Sequence, residues 1–376
     1  MPLPTPISEI SDKHKLLGLD HLRALAITYV VLFHYQKFGH PDWVNKVGEF
    51  GWTGVDLFFV LSGYLIAGQL FDDIVNEKTL SIQVFFTKRF FRIIPSYLVV
   101  VMLYFAFPSL REREQMASLW RYLTFTLNFG LDIKNIGTFT HAWSLCIEEQ
   151  FYLVLPIFIL LLTKLNIGKK AIYVLLGLFL SGFLIRYLNW HYFIEPNLLS
   201  DSFRTLFYKI IYYPTYNRLD GLLIGVSIAG LYTFYPFIKE SINKYSNFLM
   251  LTGVIILIGA YFVCTPQQTF STAIVGYPLI AIGYGLVTAA VVCPNNILYS
   301  VKSWLTSQVA TLSYAIYLIH KMSFHLTQDV LVKAGINENS NLMLFSCLCS
   351  TIALALILRY TIERPSMKLR NRFLRT

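Results

Sequence analysis

The ionisable residues that could do chemistry lie in otherwise apolar stretches. The segment DHLRALAITYVVLFHY, Asp20 to Tyr35, carries Arg23 near one end and His34 near the other. On a helix these two would lie roughly 16 Å apart along the axis and point the same way. Arg89 and Arg92, in KRFFRIIP, are three residues apart. They share a helix face on which two guanidiniums can hold a phosphate. Asp56 (GVDLFFVLSGYLI), Glu148 and Glu149 (HAWSLCIEEQFYLVLP), Arg218 and Asp220 (NRLDGLLIGV) and His320 (SYAIYLIHK) sit near the ends of other apolar segments. A histidine with a carboxylate at its depth is a minimal general base with its orienter.

Each group also has a plainer reading. Arg23 can snorkel and His34 can cap its helix. Arg89 and Arg92 can be an ordinary basic flank. Asp56 and Asp220 read more simply as members of intramembrane ion pairs than as catalysts. Burial disfavours two adjacent charges at Glu148 and Glu149, so at least one is neutral unless it is paired, and Arg218 could supply that partner. Gly54, Gly63, Gly221 and Gly225 most simply let helices pack closely.

The elements that must position these residues are membrane helices. Of 376 residues, 55% are hydrophobic and only 14% charged, against about 25% charged in soluble domains. Lipid forces each spanning segment to satisfy its own backbone, so the expected fold class is an all-α polytopic integral membrane protein. Ten spans are predicted, at 20–38, 53–71, 93–110, 143–163, 171–189, 214–235, 247–264, 272–292, 304–326 and 341–362. The stretch 121–131 reads as a re-entrant or interfacial piece, because it is short and carries Thr124, Thr126 and Asn128.

Loop charge supports that count. With the N-terminus inside, 17 Lys and Arg fall in cytoplasmic segments and 9 outside. Counting 121–131 as a crossing turns this into about 10 inside and 16 outside, against the positive-inside rule. The expectation is one membrane-embedded domain over 1–376, with a cytoplasmic N-terminal segment 1–19 and a basic cytoplasmic tail 363–376. No polar block is long enough for a soluble domain, and no internal repeat is evident. The net charge of +10 follows topology rather than a nucleic-acid module. The polar, Pro-broken start lacks signal-peptide features, so the first apolar segment is expected to be retained. Cys146, Cys264, Cys293, Cys347 and Cys349 form no C-x-x-C pair and read as small apolar residues.

The ordered set LDHLRALAITYVVLFHY, GVDLFFVLSGYLI, R-x-x-R, WSLCIEEQFYLVLP, RLDGLLIGV and SYAIYLIH resembles acyltransferase family 3. Its members are integral-membrane proteins that O-acylate surface and secreted carbohydrates and some small molecules. The likeness covers nearly the whole chain, and the stand-alone type, without an appended esterase-like domain, is expected. It puts the family's arginine–histidine pair on Arg23 and His34, and its double arginine on Arg89 and Arg92. It implies an acyl-CoA donor, most often acetyl-CoA, reached from the cytoplasm across the plasma (inner) membrane, and a carbohydrate or glycolipid acceptor. His34 is then expected as base or transient acyl carrier, with Glu148 its preferred orienter and Glu149 second. Arg89 and Arg92, helped by Arg23, would hold the nucleotide phosphates, and no metal is needed. The rival reading is a proton-coupled transporter, which predicts symmetry-related halves. A third, a glycolipid-binding scaffold, would not need the outer polar cluster.

Overall fold

Leu, Ile, Val and Phe runs near twenty residues long leave the backbone only helical solutions in lipid. The computed structural model describes residues 16–76, 81–165 and 168–374, and every regular element among them is helical. The main helices are α1 (Leu17–Tyr35), α2 (Gly54–Val75), α3 (Ile82–Ala106), α4 (Trp143–Lys164), α5 (Ala171–Asn189) and α6 (Asp220–Phe234). They continue as α7 (Pro236–Lys244), α8 (Ser246–Val263), α9 (Tyr277–Val291), α10 (Trp304–Lys333), α11 (Asn341–Leu358) and α12 (Arg364–Phe373). Ser81 and Ser340 cap α3 and α11 by accepting from Val84 N and Met343 N. Pro236 opens α7 at a 104° bend from α6, as expected where an N–H is missing.

All ten predicted spans coincide with helices. Seven described helices are long and apolar enough to cross a membrane, or eight if the bent α6–α7 pair is one span. The two predicted spans outside that set are α1 and α10. Asp20, His21, Arg23 and His34 dilute the apolar run of α1, and His320, Lys321 and His325 that of α10. The 121–131 stretch holds only the end of a short helix, Leu119–Leu123, followed by turns. Most of the expected N-terminal segment 1–19 lies outside the described residues.

The chain divides into two compact units, each drawn from three stretches. The first takes Met1–Arg23, Asp56–Leu80 and Glu148–Ser307. In it, α2 and α6 touch backbone to backbone. A Cβ on Gly63 would lie 2.2 Å from Leu222 O, and one on Gly225 would lie 2.2 Å from Val60 O. Only glycine fits either place, as the sequence predicts. In the same unit α8 and α9 approach through Gly253 and Gly283. The second unit takes Ala24–Val55, Ser81–Ile147 and Gln308–Thr376. There α12 packs along α3, with Phe373 stacked on Phe91 at 5.6 Å.

Candidate functional site

The second unit gathers three histidines. His34 Nδ1 lies 2.9 Å from His320 Nε2. The His141 ring centroid is 4.8 Å from that of His320 and 5.7 Å from that of His34. His320 and His141 are buried and His34 is half-buried. The helix supplies the polarity of this contact. His320 Nδ1 is 3.1 Å from Ile316 O and 2.9 Å from Tyr317 O on its own helix. Carbonyls only accept, so Nδ1 carries the proton, and neutral His320 offers a lone pair at Nε2. His34 must then donate from Nδ1, which leaves the basic lone pair of His34 on Nε2. That is the arrangement a general base needs, with one imidazole fixing the tautomer of another.

Sequence reasoning singled out His34 and His320 but not the three residues beside them. His141 stands in HAWSLCIEEQ, and both its ring nitrogens lack a hydrogen bond of good geometry among the described residues. Lys321 follows His320 and is buried, with Nζ 2.7 Å from Glu112 Oε1. The available signal was depth: a second histidine before α4, and a cation inside α10. Among the described residues no group of three or more His, Cys, Asp or Glu could hold a metal ion, the three histidines included.

The other expected residues fall as follows. Arg89 and Arg92 lie on α3 in the second unit, Arg92 exposed and Arg89 half-buried. In the first unit, Arg23 Nη1 is 3.6 Å from Asp20 Oδ1. Glu148 accepts from Ser62 Oγ at 3.1 Å and from Tyr152 Oη at 3.2 Å. Glu149 adjoins it on α4. Arg218, considered above as a partner for the glutamates, donates from Nη2 to Asp56 Oδ1 at 2.7 Å, with both side chains buried. Asp220 accepts from Arg186 at 2.7 and 3.2 Å, and Arg186 was another intramembrane cation passed over in the sequence. Stacked between Tyr212 and Tyr277, at 4.6 and 4.1 Å from their centroids, Arg218 is held as a planar cation.

A multi-span helical protein with an imidazole pair of fixed tautomer has the parts of a membrane-embedded acid–base catalyst. The family model described as an acyltransferase domain matches residues 16–360, and the chain belongs to that family. It is a multi-pass membrane protein. It is similar to the peptidoglycan O-acetyltransferase OatA of Listeria monocytogenes, 28% identical over 339 residues, covering 84% of this chain and 50% of that protein. It is also similar to the O-acetyltransferase OatA of Staphylococcus aureus, 27% identical over 327 residues, covering 81% and 50%. The chain spans about half the length of the curated relatives it matches. No solved structure matches it.

Proposed function

We propose that this protein moves an acyl group, acetyl by the names of its relatives, from acyl-CoA to a hydroxyl of an extracytoplasmic carbohydrate, with peptidoglycan the first acceptor to test. The observation that carries the reading is the hydrogen bond from His34 Nδ1 to His320 Nε2. It leaves His34 Nε2 to take the proton of the acceptor hydroxyl as that oxygen bonds to the thioester carbonyl carbon. When the intermediate collapses, the C–S bond breaks and the proton passes from His34 to the departing CoA thiolate. In this reading His320 is the orienter of His34, the role first expected of Glu148 and then of Glu149. Arg89 and Arg92, at i and i+3, suit the CoA phosphates, with Arg23 assisting.

Donor entry is assigned to the cytoplasmic side, and both termini with it, on the loop-charge asymmetry. Shielding the thioester between helices would limit its loss to water. The test is labelled acetyl-CoA supplied to purified protein in lipid, with and without a peptidoglycan acceptor. Acceptor-dependent release of CoA is expected, and it should vanish in His34→Ala. Near wild-type transfer by His34→Ala would sink the proposal.

A further inference from the structure

Two facing pieces of the second unit meet beside the histidines. After α3 the chain runs through Arg111–Gln115, which lies along Gly137–Phe139. Gly137 N and Thr138 N donate to Gln115 O at 3.3 and 3.2 Å. Arg113 N donates to Thr138 Oγ1 at 3.1 Å, and that hydroxyl donates back to Arg113 O. This pairing delivers the Glu112 carboxylate to Phe139 N, which donates to Oε1 at 3.0 Å. Phe139 needs the help, because its φ of 53° is left-handed for a residue with a side chain. Such a conformation is sterically unfavourable and persists only where its surroundings over-determine it. Two residues on, the backbone reaches His141.

Helix α10 grips the same turn at two points. Tyr317 Oη donates to His141 O at 2.6 Å, and its oxygen also lies 2.6 Å from Ser144 Oγ. One turn later Lys321 Nζ sits 2.7 Å from Glu112 Oε1, with side-chain exposures of 9% and 4%. His320 lies between these two grips on α10. Glu112 Oε1 therefore ties the strained turn to the residue next to the histidine that orients His34.

We infer that Glu112 and Lys321 are positioning residues, which hold the Phe139–His141 turn against α10 and thereby fix the His34–His320 geometry. The inference rests on the acyl-transfer reading above. Breaking the pair lets the turn relax, and the imidazoles lose the alignment on which proton transfer depends. Misplacement by about 1 Å can cost about a hundredfold in rate.

The experiment measures kcat and donor KM per folded molecule, in lipid, for wild type, Lys321→Met, Lys321→Arg and the double variant Glu112→Gln with Lys321→Met. Lys321→Met is expected to lose about tenfold to a hundredfold in kcat with donor KM little changed. Lys321→Arg, which keeps the ion pair, should recover most of it. The double variant removes both buried charges, so it folds even where the single variant does not. It should still show the kcat loss, because the grip is gone. A double variant with wild-type kcat per folded molecule overturns the inference, as does a Lys321→Met variant that lowers only the yield of folded protein and leaves kcat per folded molecule unchanged. A wild-type protein that transfers no acyl group overturns the acyl-transfer reading itself.

Discussion

His34 and His320 meet through a single hydrogen bond of 2.9 Å, and the carbonyls of Ile316 and Tyr317 decide which ring donates. Removing either ring should therefore have unequal effects. His34→Ala is expected to lower kcat by about 10² to 10⁴-fold, the range of a general base. His320→Ala leaves His34 free to take the wrong tautomer and is expected to cost about tenfold to a hundredfold. Glu148→Gln should cost less than His320→Ala. Steady-state rates with a fixed acceptor decide this, and a Glu148→Gln loss larger than that of His320→Ala would return the orienting role to the glutamate.

The double arginine on α3 makes a separate prediction about the donor. Arg89→Ala and Arg92→Ala are expected to weaken acyl-CoA binding more than they slow the bound complex. Lysine should substitute poorly, since an ammonium cannot form the planar two-pronged contact with phosphate. Calorimetric titration of acyl-CoA into purified variants reads this directly. Unchanged affinity in both alanine variants would leave the arginines as a topology flank.

Stability should respond to the glycine contact in the first unit. Gly225→Val puts a side chain where even a Cβ would lie 2.2 Å from Val60 O. Overpacking of that kind costs about 1–3 kcal/mol or more. Gly68→Ala is the control, because an added Cβ there meets nothing within 4 Å. Thermal unfolding in one detergent should show a clear drop for the first and little change for the second. Equal melting temperatures would mean that the two helices can part at no cost.

Acid should act on the Glu112 carboxyl. Burial pushes its pKa up, but the Lys321 ammonium and the Phe139 N–H pull harder, and the net result is below its usual 4.5. A lowered carboxyl pKa contributes stability that is complete above the unfolded value and is lost as pH falls through the folded one. The gap in melting temperature between wild type and Glu112→Gln is thus expected to be widest above about pH 5 and to close below 4.5. A gap that widens in acid would reverse the sign and refute the assignment.

Much of this arrangement was legible in the chain. Apolar length placed a helix at each of the ten predicted spans, though not the short polar helices such as Pro236–Lys244 and Arg364–Phe373, and depth along a helix picked out His34 and His320 without any knowledge of their contact. Periodicity says which way a side chain points from its own axis, but not how two distant helices are rotated against each other. That is why Arg218 could be matched with the glutamates on paper, whereas in the fold it pairs with Asp56. The same gap hid the Glu112–Lys321 pair, whose members are more than two hundred residues apart. The glycines were easier, because a residue lacking a side chain on an apolar face has few uses other than close approach.

The backbone anchoring of His320 has an electrical consequence. A histidine steered by an aspartate keeps a permanent negative charge beside it, and taking such a charge out of water costs several kcal/mol even after the surroundings relax. Here the steering group is a second imidazole, itself held by two peptide carbonyls. At rest the dyad carries no net charge, so it needs no counter-ion and draws no water in to solvate one. In the acyl transfer proposed above, charge would appear there only during turnover, when His34 takes the proton and the thioester carbonyl oxygen becomes an anion, so that each transient ion is the other's partner.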